Sequence, residues 1–106
     1  MKLIPFSKDW SKLSQRLFIT LRKSEKAQVG EVVKIYNKPN VVVFKACCLL
    51  VMRSTLGELS TALLCYDTDT HTRAAAITEI QQFYKTSLTD DSVFYLHLFQ
   101  KEVQDQ

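Results

Sequence analysis

Phe18-Ile19-Thr20-Leu21-Arg22, the polar stretch Lys23-Ser24-Glu25-Lys26-Ala27-Gln28, and Val29-Gly30-Glu31-Val32-Val33-Lys34-Ile35 read as a strand, a loop, a turn and a second strand. The first segment is rich in aromatic and β-branched residues and alternates. Ile19 and Leu21 face one side, expected to be the core, while Phe18, Thr20 and Arg22 face the other. The second strand is expected over Val32–Tyr36. Asn37-Lys38-Pro39-Asn40 then places Asn and Pro where a β-turn wants them. A long strand follows from Val41 to Arg53, with a bend or bulge midway.

Upstream, Ser7 is a candidate cap for a short helix with Trp10, Leu13 and Leu17 at helical spacing. Downstream the period changes. Thr55-Leu56-Gly57-Glu58 fits a capping box, with Thr at the N-cap and Glu three residues later. Leu56, Leu59, Leu63 and Tyr66 form an apolar stripe. After a polar break over Asp67–Thr72, Ile77, Ile80, Phe83 and Tyr84 mark one face of another helix. Thr89-Asp90-Asp91-Ser92 is a loop, and Val93–Phe99 alternates as a last strand. The order is α-β-β-β-α-α-β. So many strands in 106 residues predict an α+β fold with the sheet curled into a small barrel and helices packed on one side.

The length predicts one domain over residues 1–106. Hydrophobic residues make up 46% and charged residues 24%, ordinary values for a globular core. The longest apolar stretch, Val41–Met52, contains Lys45 and is too short to span a bilayer. Met1–Phe6 lacks the apolar core of a signal peptide. Cys47, Cys48 and Cys65 lie in apolar runs without zinc spacing, which suits reduced thiols in the cytoplasm. No metal and no cofactor is expected. The net charge is +3 but uneven: residues 1–53 hold 11 Lys and Arg against 3 Asp and Glu. That asymmetry points either to an anionic partner for the basic half or to mutual neutralisation of the halves across the fold.

The Thr20-Leu21-Arg22 strand followed by the Val29-Gly30-Glu31 turn resembles the signature of the ASCH domain, a member of the PUA-like superfamily. The element order agrees over about residues 6–101, including the Leu56-Gly57-Glu58-Leu59 helix and the final strand Phe94–Phe99. The resemblance implies a small PUA-like β-barrel flanked by two or three helices, binding RNA, a nucleotide or a nucleoside in a cleft beside the barrel. Family members with hydrolase activity convert acetylcytidine to cytidine, and one is a ribonuclease. Their threonine, the catalytic position of the T-x-R strand, carries over to Thr20, and the arginine to Arg22. Their lysine, three residues before the threonine, falls on Leu17, with Arg16 beside it. Their glutamate falls near Arg73, where Asp67 or Asp69 substitutes only if the loop runs differently. The chain thus departs from the hydrolase pattern at two positions, and binding is the first expectation.

Chemistry agrees with that order. A threonine hydroxyl needs a base within reach to act as a nucleophile, and a guanidinium such as that of Arg16 stays protonated. Arg16, Arg22, Lys23 and Lys26 suit phosphate contacts, and Trp10, Phe18 or Tyr36 are candidates to stack on a base. Asp67-Thr68-Asp69-Thr70-His71 is read as an interhelix loop and His97 as structural or at the rim. The alternatives to RNA or nucleotide binding are a hydrolase centred on Thr20 and a protein-interaction module whose basic face meets an acidic protein.

Overall fold

A computed structural model of the chain describes residues 1–8 and 11–102. Five strands form one sheet: β1 (Leu3–Phe6), β2 (Leu17–Arg22), β3 (Val32–Asn37), β4 (Val42–Thr55) and β5 (Val93–Lys101). Two helices, α1 (Thr61–Thr68) and α2 (Arg73–Tyr84), lie between β4 and β5 in sequence. The strand order is β1-β3-β4-β5-β2, with β1 parallel to β3 and every other pair antiparallel. The sheet is curled into a half-barrel, and its two edge strands, β1 and β2, border an open seam.

The two halves of the expected strand–turn–strand unit never pair with each other. Phe18 and Ile19 of β2 sit against Phe99 and Leu98 of β5, whereas Val33 and Ile35 of β3 sit against Ala46 and Phe44 of β4. Gly30 makes the turn between them. Its φ of 88° favours glycine, and its N–H donates to the Cys48 carbonyl at 2.7 Å. The bend expected in β4 is a register shift between Cys48 and Leu50, where one extra residue increases the local curl.

Two cores share the sheet. Inside the curl lie Ile4, Phe6, Leu13, Phe18, Val33, Ile35, Ala46, Cys48 and Phe99, with Phe18 in ring contact with Phe6, Phe44 and Phe99. On the outer side, Ile19, Leu21, Phe94 and Leu96 pack under α1 and α2 against Leu56, Leu64, Ala76 and Ile80. Alternation along β2 is therefore real, but both of its faces are covered, because the strand is sandwiched between the barrel interior and the helices. Phe18 is only 1% exposed. This corrects its assignment as a stacking platform: its ring is spent on core packing.

The expected first helix is also corrected. Residues Leu3–Phe6 are a strand, followed by a single 3-10 turn at Ser11–Ser14, and Leu17 already belongs to β2. Pro5 is tolerated in β1 because an edge strand leaves one side without ladder bonds. Leu13 drops into the barrel, which a helix continuing along the surface would not allow. Trp10 lies outside the described residues.

The capping box at Thr55 exists, with Thr55 Oγ1 donating to Glu58 Oε1 at 2.7 Å, but it opens only a 3-10 turn, Leu56–Glu58. Ser60 caps α1 by accepting from Leu63 N at 3.1 Å, and Thr72 caps α2 by accepting from Ala75 N at 3.1 Å. Asp67 and Thr68, expected in a loop, form the last turn of α1. None of the described helices is long and apolar enough to cross a membrane. Cys47, Cys48 and Cys65 are free.

Candidate functional site

An edge strand exposes backbone groups that a neighbouring strand would otherwise satisfy. At the seam, side chains take over that task. The Leu21 N–H of β2 donates to Asp67 Oδ1 at 3.3 Å, and the Leu21 carbonyl accepts from the Tyr84 hydroxyl at 3.3 Å. Helix α1 is thus tied to the open edge through Asp67 and through the Tyr66 hydroxyl, which donates to the Leu17 carbonyl at 3.3 Å, and α2 through Tyr84. Arg22 reaches the other way across the gap. Its Nη2 donates to the Pro5 carbonyl of β1 at 3.1 Å, its Nε donates to Thr20 Oγ1 at 3.1 Å, and its guanidinium carbon sits 4.6 Å from the centre of the Phe6 ring. A rigid fork suits this bridging geometry better than an ammonium would.

Between these elements opens a shallow pocket of about 470 Å³, open solvent at its mouth included, with Phe6, Phe83 and Tyr84 on its apolar side and Lys12, Thr20, Arg22 and Asp67 on its polar side. Lys12 is the residue that sequence reasoning missed. It comes from the 3-10 turn that plugs the seam, is 3% exposed, and donates through Nζ to Asp67 Oδ1 at 2.5 Å and to the Asp67 carbonyl at 3.2 Å. Burial pulls its ammonium below the ordinary lysine range, and Asp67 works against that shift. Burial likewise lowers Arg22, which still remains a cation, and raises the Tyr84 phenol.

Of the residues singled out from the sequence, Thr20 and Arg22 come together in this pocket. Thr20 is buried, beside His97 in the β2–β5 register. Lys23 flanks the mouth, its Nζ 5.7 Å from the centre of the Tyr84 ring. Lys26 is exposed, and its backbone N–H donates to His97 Nε2 at 2.9 Å, which holds the loop over the end of the barrel. His97 is fully buried rather than at the rim, stacked on Phe99.

Arg16 does not join them. It precedes the opposite end of β2, about 20 Å along the strand from Arg22, where its carbonyl accepts from Lys101 N at 2.7 Å. Tyr36 lies half-buried on β3, outside the pocket. Arg73, at the expected glutamate position, clamps the Leu56 and Leu59 carbonyls at 2.9 and 2.8 Å. A carboxylate and an amine do line the pocket with Thr20, but they belong to Asp67 and Lys12. No spacing rule could find Lys12, because its partner is 55 positions away.

No family model and no curated protein matches the chain. Among solved structures it is similar to the crystal structure of an ASCH domain from Lactobacillus crispatus JV V101, with a TM-score of 0.62 and 10% sequence identity over 94% of this chain and 79% of that one. At that identity the likeness speaks for the fold alone: a half-barrel of five strands with two helices against one face, an ASCH-type α+β fold.

Proposed function

We propose that the seam pocket binds a nucleotide unit, either free or as part of RNA. One observation carries this reading. Arg22 presents a mostly buried guanidinium to an aromatic-lined pocket and meets no carboxylate among the described residues, while the nearby Asp67 is engaged by Lys12. The Asp67 charge reaches Arg22 without contact and is shared with Lys12, and a bound phosphate would answer the guanidinium directly in the geometry arginine favours. Phe83, 43% exposed at the mouth, and Tyr84 offer apolar surface for a base. The ASCH-type fold is consistent with an RNA-binding type of domain. Titration of short single-stranded RNA and of nucleoside monophosphates tests the reading. Affinity is expected to fall steeply with salt and to drop in Arg22→Ala; affinity indifferent to both rejects it.

A second reading, hydrolysis of an amide on a modified nucleoside, is favoured by a specific observation: Thr20, Lys12 and Asp67 line one pocket. Arg22 Nε donating to Thr20 Oγ1 would stabilise negative charge developing on that oxygen. Lys12 would first pass its ammonium proton to Asp67 across their hydrogen bond, and the free amine would then take the hydroxyl proton as Oγ1 attacks the carbonyl carbon and return it to the leaving amine. Water would release the acyl group from Thr20. Incubation with acetylcytidine, following acetate release, decides it: turnover lost in Thr20→Ala and in Lys12→Met supports the mechanism, and no turnover by the wild type removes it.

A further inference from the structure

Arg22 does not stand at the seam alone. In the β2–β5 ladder it lies directly opposite Tyr95, and in the β5–β4 ladder Tyr95 lies directly opposite Arg53. Residues directly opposite in antiparallel strands project from the same face. The next row inward is Thr20, His97 and Val51, which faces the barrel interior. The row Arg22–Tyr95–Arg53 therefore crosses the barrel mouth as cation, aromatic, cation, with steps of about 4.8 Å between strands.

Arg53 is exposed and Tyr95 half-exposed. Neither arginine has an ion-pair partner among the described residues. The loop after β2 lies beside the row, pinned by the Lys26–His97 bond, and brings Lys23 and Lys26 with a single acid, Glu25. Charge on this end of the barrel is thus cationic and aromatic together. That combination fits a chain of alternating phosphates and bases better than an acidic protein, which would leave the ring without a stacking partner.

We infer that the Arg22–Tyr95–Arg53 row is the track along which a single-stranded RNA leaves the seam pocket, with Tyr95 stacking on the base next to the pocketed nucleotide and Arg53 holding the phosphate beyond it. The inference rests on the nucleotide reading of the pocket, and the two fail separately. The test compares binding of uridine monophosphate with that of a single-stranded uridine hexamer. Arg53→Gln and Tyr95→Ala are each expected to weaken the hexamer about tenfold while leaving the monophosphate within twofold. Arg53→Gln should also reduce the slope of log affinity against log salt by about 0.7, and Tyr95→Phe should retain affinity because the ring remains. Arg53 is exposed, so folding of its variant is checked simply by an unchanged melting transition. A wild type that binds the hexamer no better than the monophosphate, or a hexamer affinity untouched by both substitutions, overturns the track. Binding of the hexamer through Tyr95 and Arg53 without any affinity for the monophosphate would retain the track and remove the pocket. Binding of neither ligand removes both, and capture of an acidic peptide by the row in their place would replace RNA with protein.

Discussion

Lys12 Nζ and Asp67 Oδ1 stand 2.5 Å apart with 3% and 10% of their side chains exposed, joining the turn that plugs the seam to the last turn of α1. The pair lies at the hub of the pocket, since the same carboxylate oxygen also accepts the Leu21 N–H of the open strand. Removing one partner of such a pair takes away the main compensation for the other's buried charge. Asp67→Ala is expected to cost about 3–5 kcal/mol in urea unfolding. Lys12→Met keeps the volume and should cost less. The double variant should be less destabilised than the sum of the singles by about 1 kcal/mol or more, the coupling expected of groups in direct contact.

Burial lowers His97, with Arg22 acting in the same direction and Glu25 and the Tyr95 and Thr20 carbonyls opposing. Its pKa in the fold is therefore below 6.5, the value of the unfolded chain. The unfolded state takes up the proton first as pH falls, so stability present above pH 6.5 is lost progressively below it, by at most about 1.4 kcal/mol per pH unit. Urea midpoints at pH 7.5 and pH 5 are expected to differ, and His97→Gln should narrow the difference.

Val41 holds φ at 52°, a left-handed conformation that β-branched residues rarely adopt, and it is 77% exposed at the β3–β4 turn. Val41→Asn relieves the clash with little contact to lose. A gain of about 1 kcal/mol, read as a higher melting temperature, is the expected outcome.

Gly57 faces the loop before β5 so closely that an added Cβ would meet Asp90 Cβ at 3.0 Å and the Asp90 carbonyl at 3.3 Å, beside its own N–H bond to that carbonyl at 2.9 Å. Gly57→Ala is expected to cost about 1–3 kcal/mol in denaturant unfolding by forcing the two loops apart.

Local pattern determined a good part of this protein. Alternation and β-branched content along Phe18–Arg22 and Val32–Tyr36 mark strands, Gly30 marks the turn, and the interval of two residues puts Thr20 and Arg22 on one face, where Arg22 Nε meets Thr20 Oγ1. The element order and the curled α+β class were legible for the same reason, since strands and helices each write their own period into the chain, whereas the ASCH type came from the resemblance of the Thr20-Leu21-Arg22 and Val29-Gly30-Glu31 motifs. Segments with weak periods were not legible. Ser7–Leu17 has a helix-like spacing, yet Leu13 found a better place inside the barrel and left only one turn. Arg16 and Arg22 are neighbours in a list of cations and lie near opposite ends of one strand.

Only the tertiary structure decided the rest of the site. Lys12 meets Asp67 because β1 and β2, separated in the sheet by three strands, are the two edges of a curl. Arg53 falls into line with Tyr95 and Arg22 because of a register that includes a one-residue shift in β4. Periodicity is a property of neighbours along the chain, whereas register and closure arise from packing between segments tens of residues apart. The charges that make the pocket and its track are therefore visible in the sequence one by one, and as a site only in the fold.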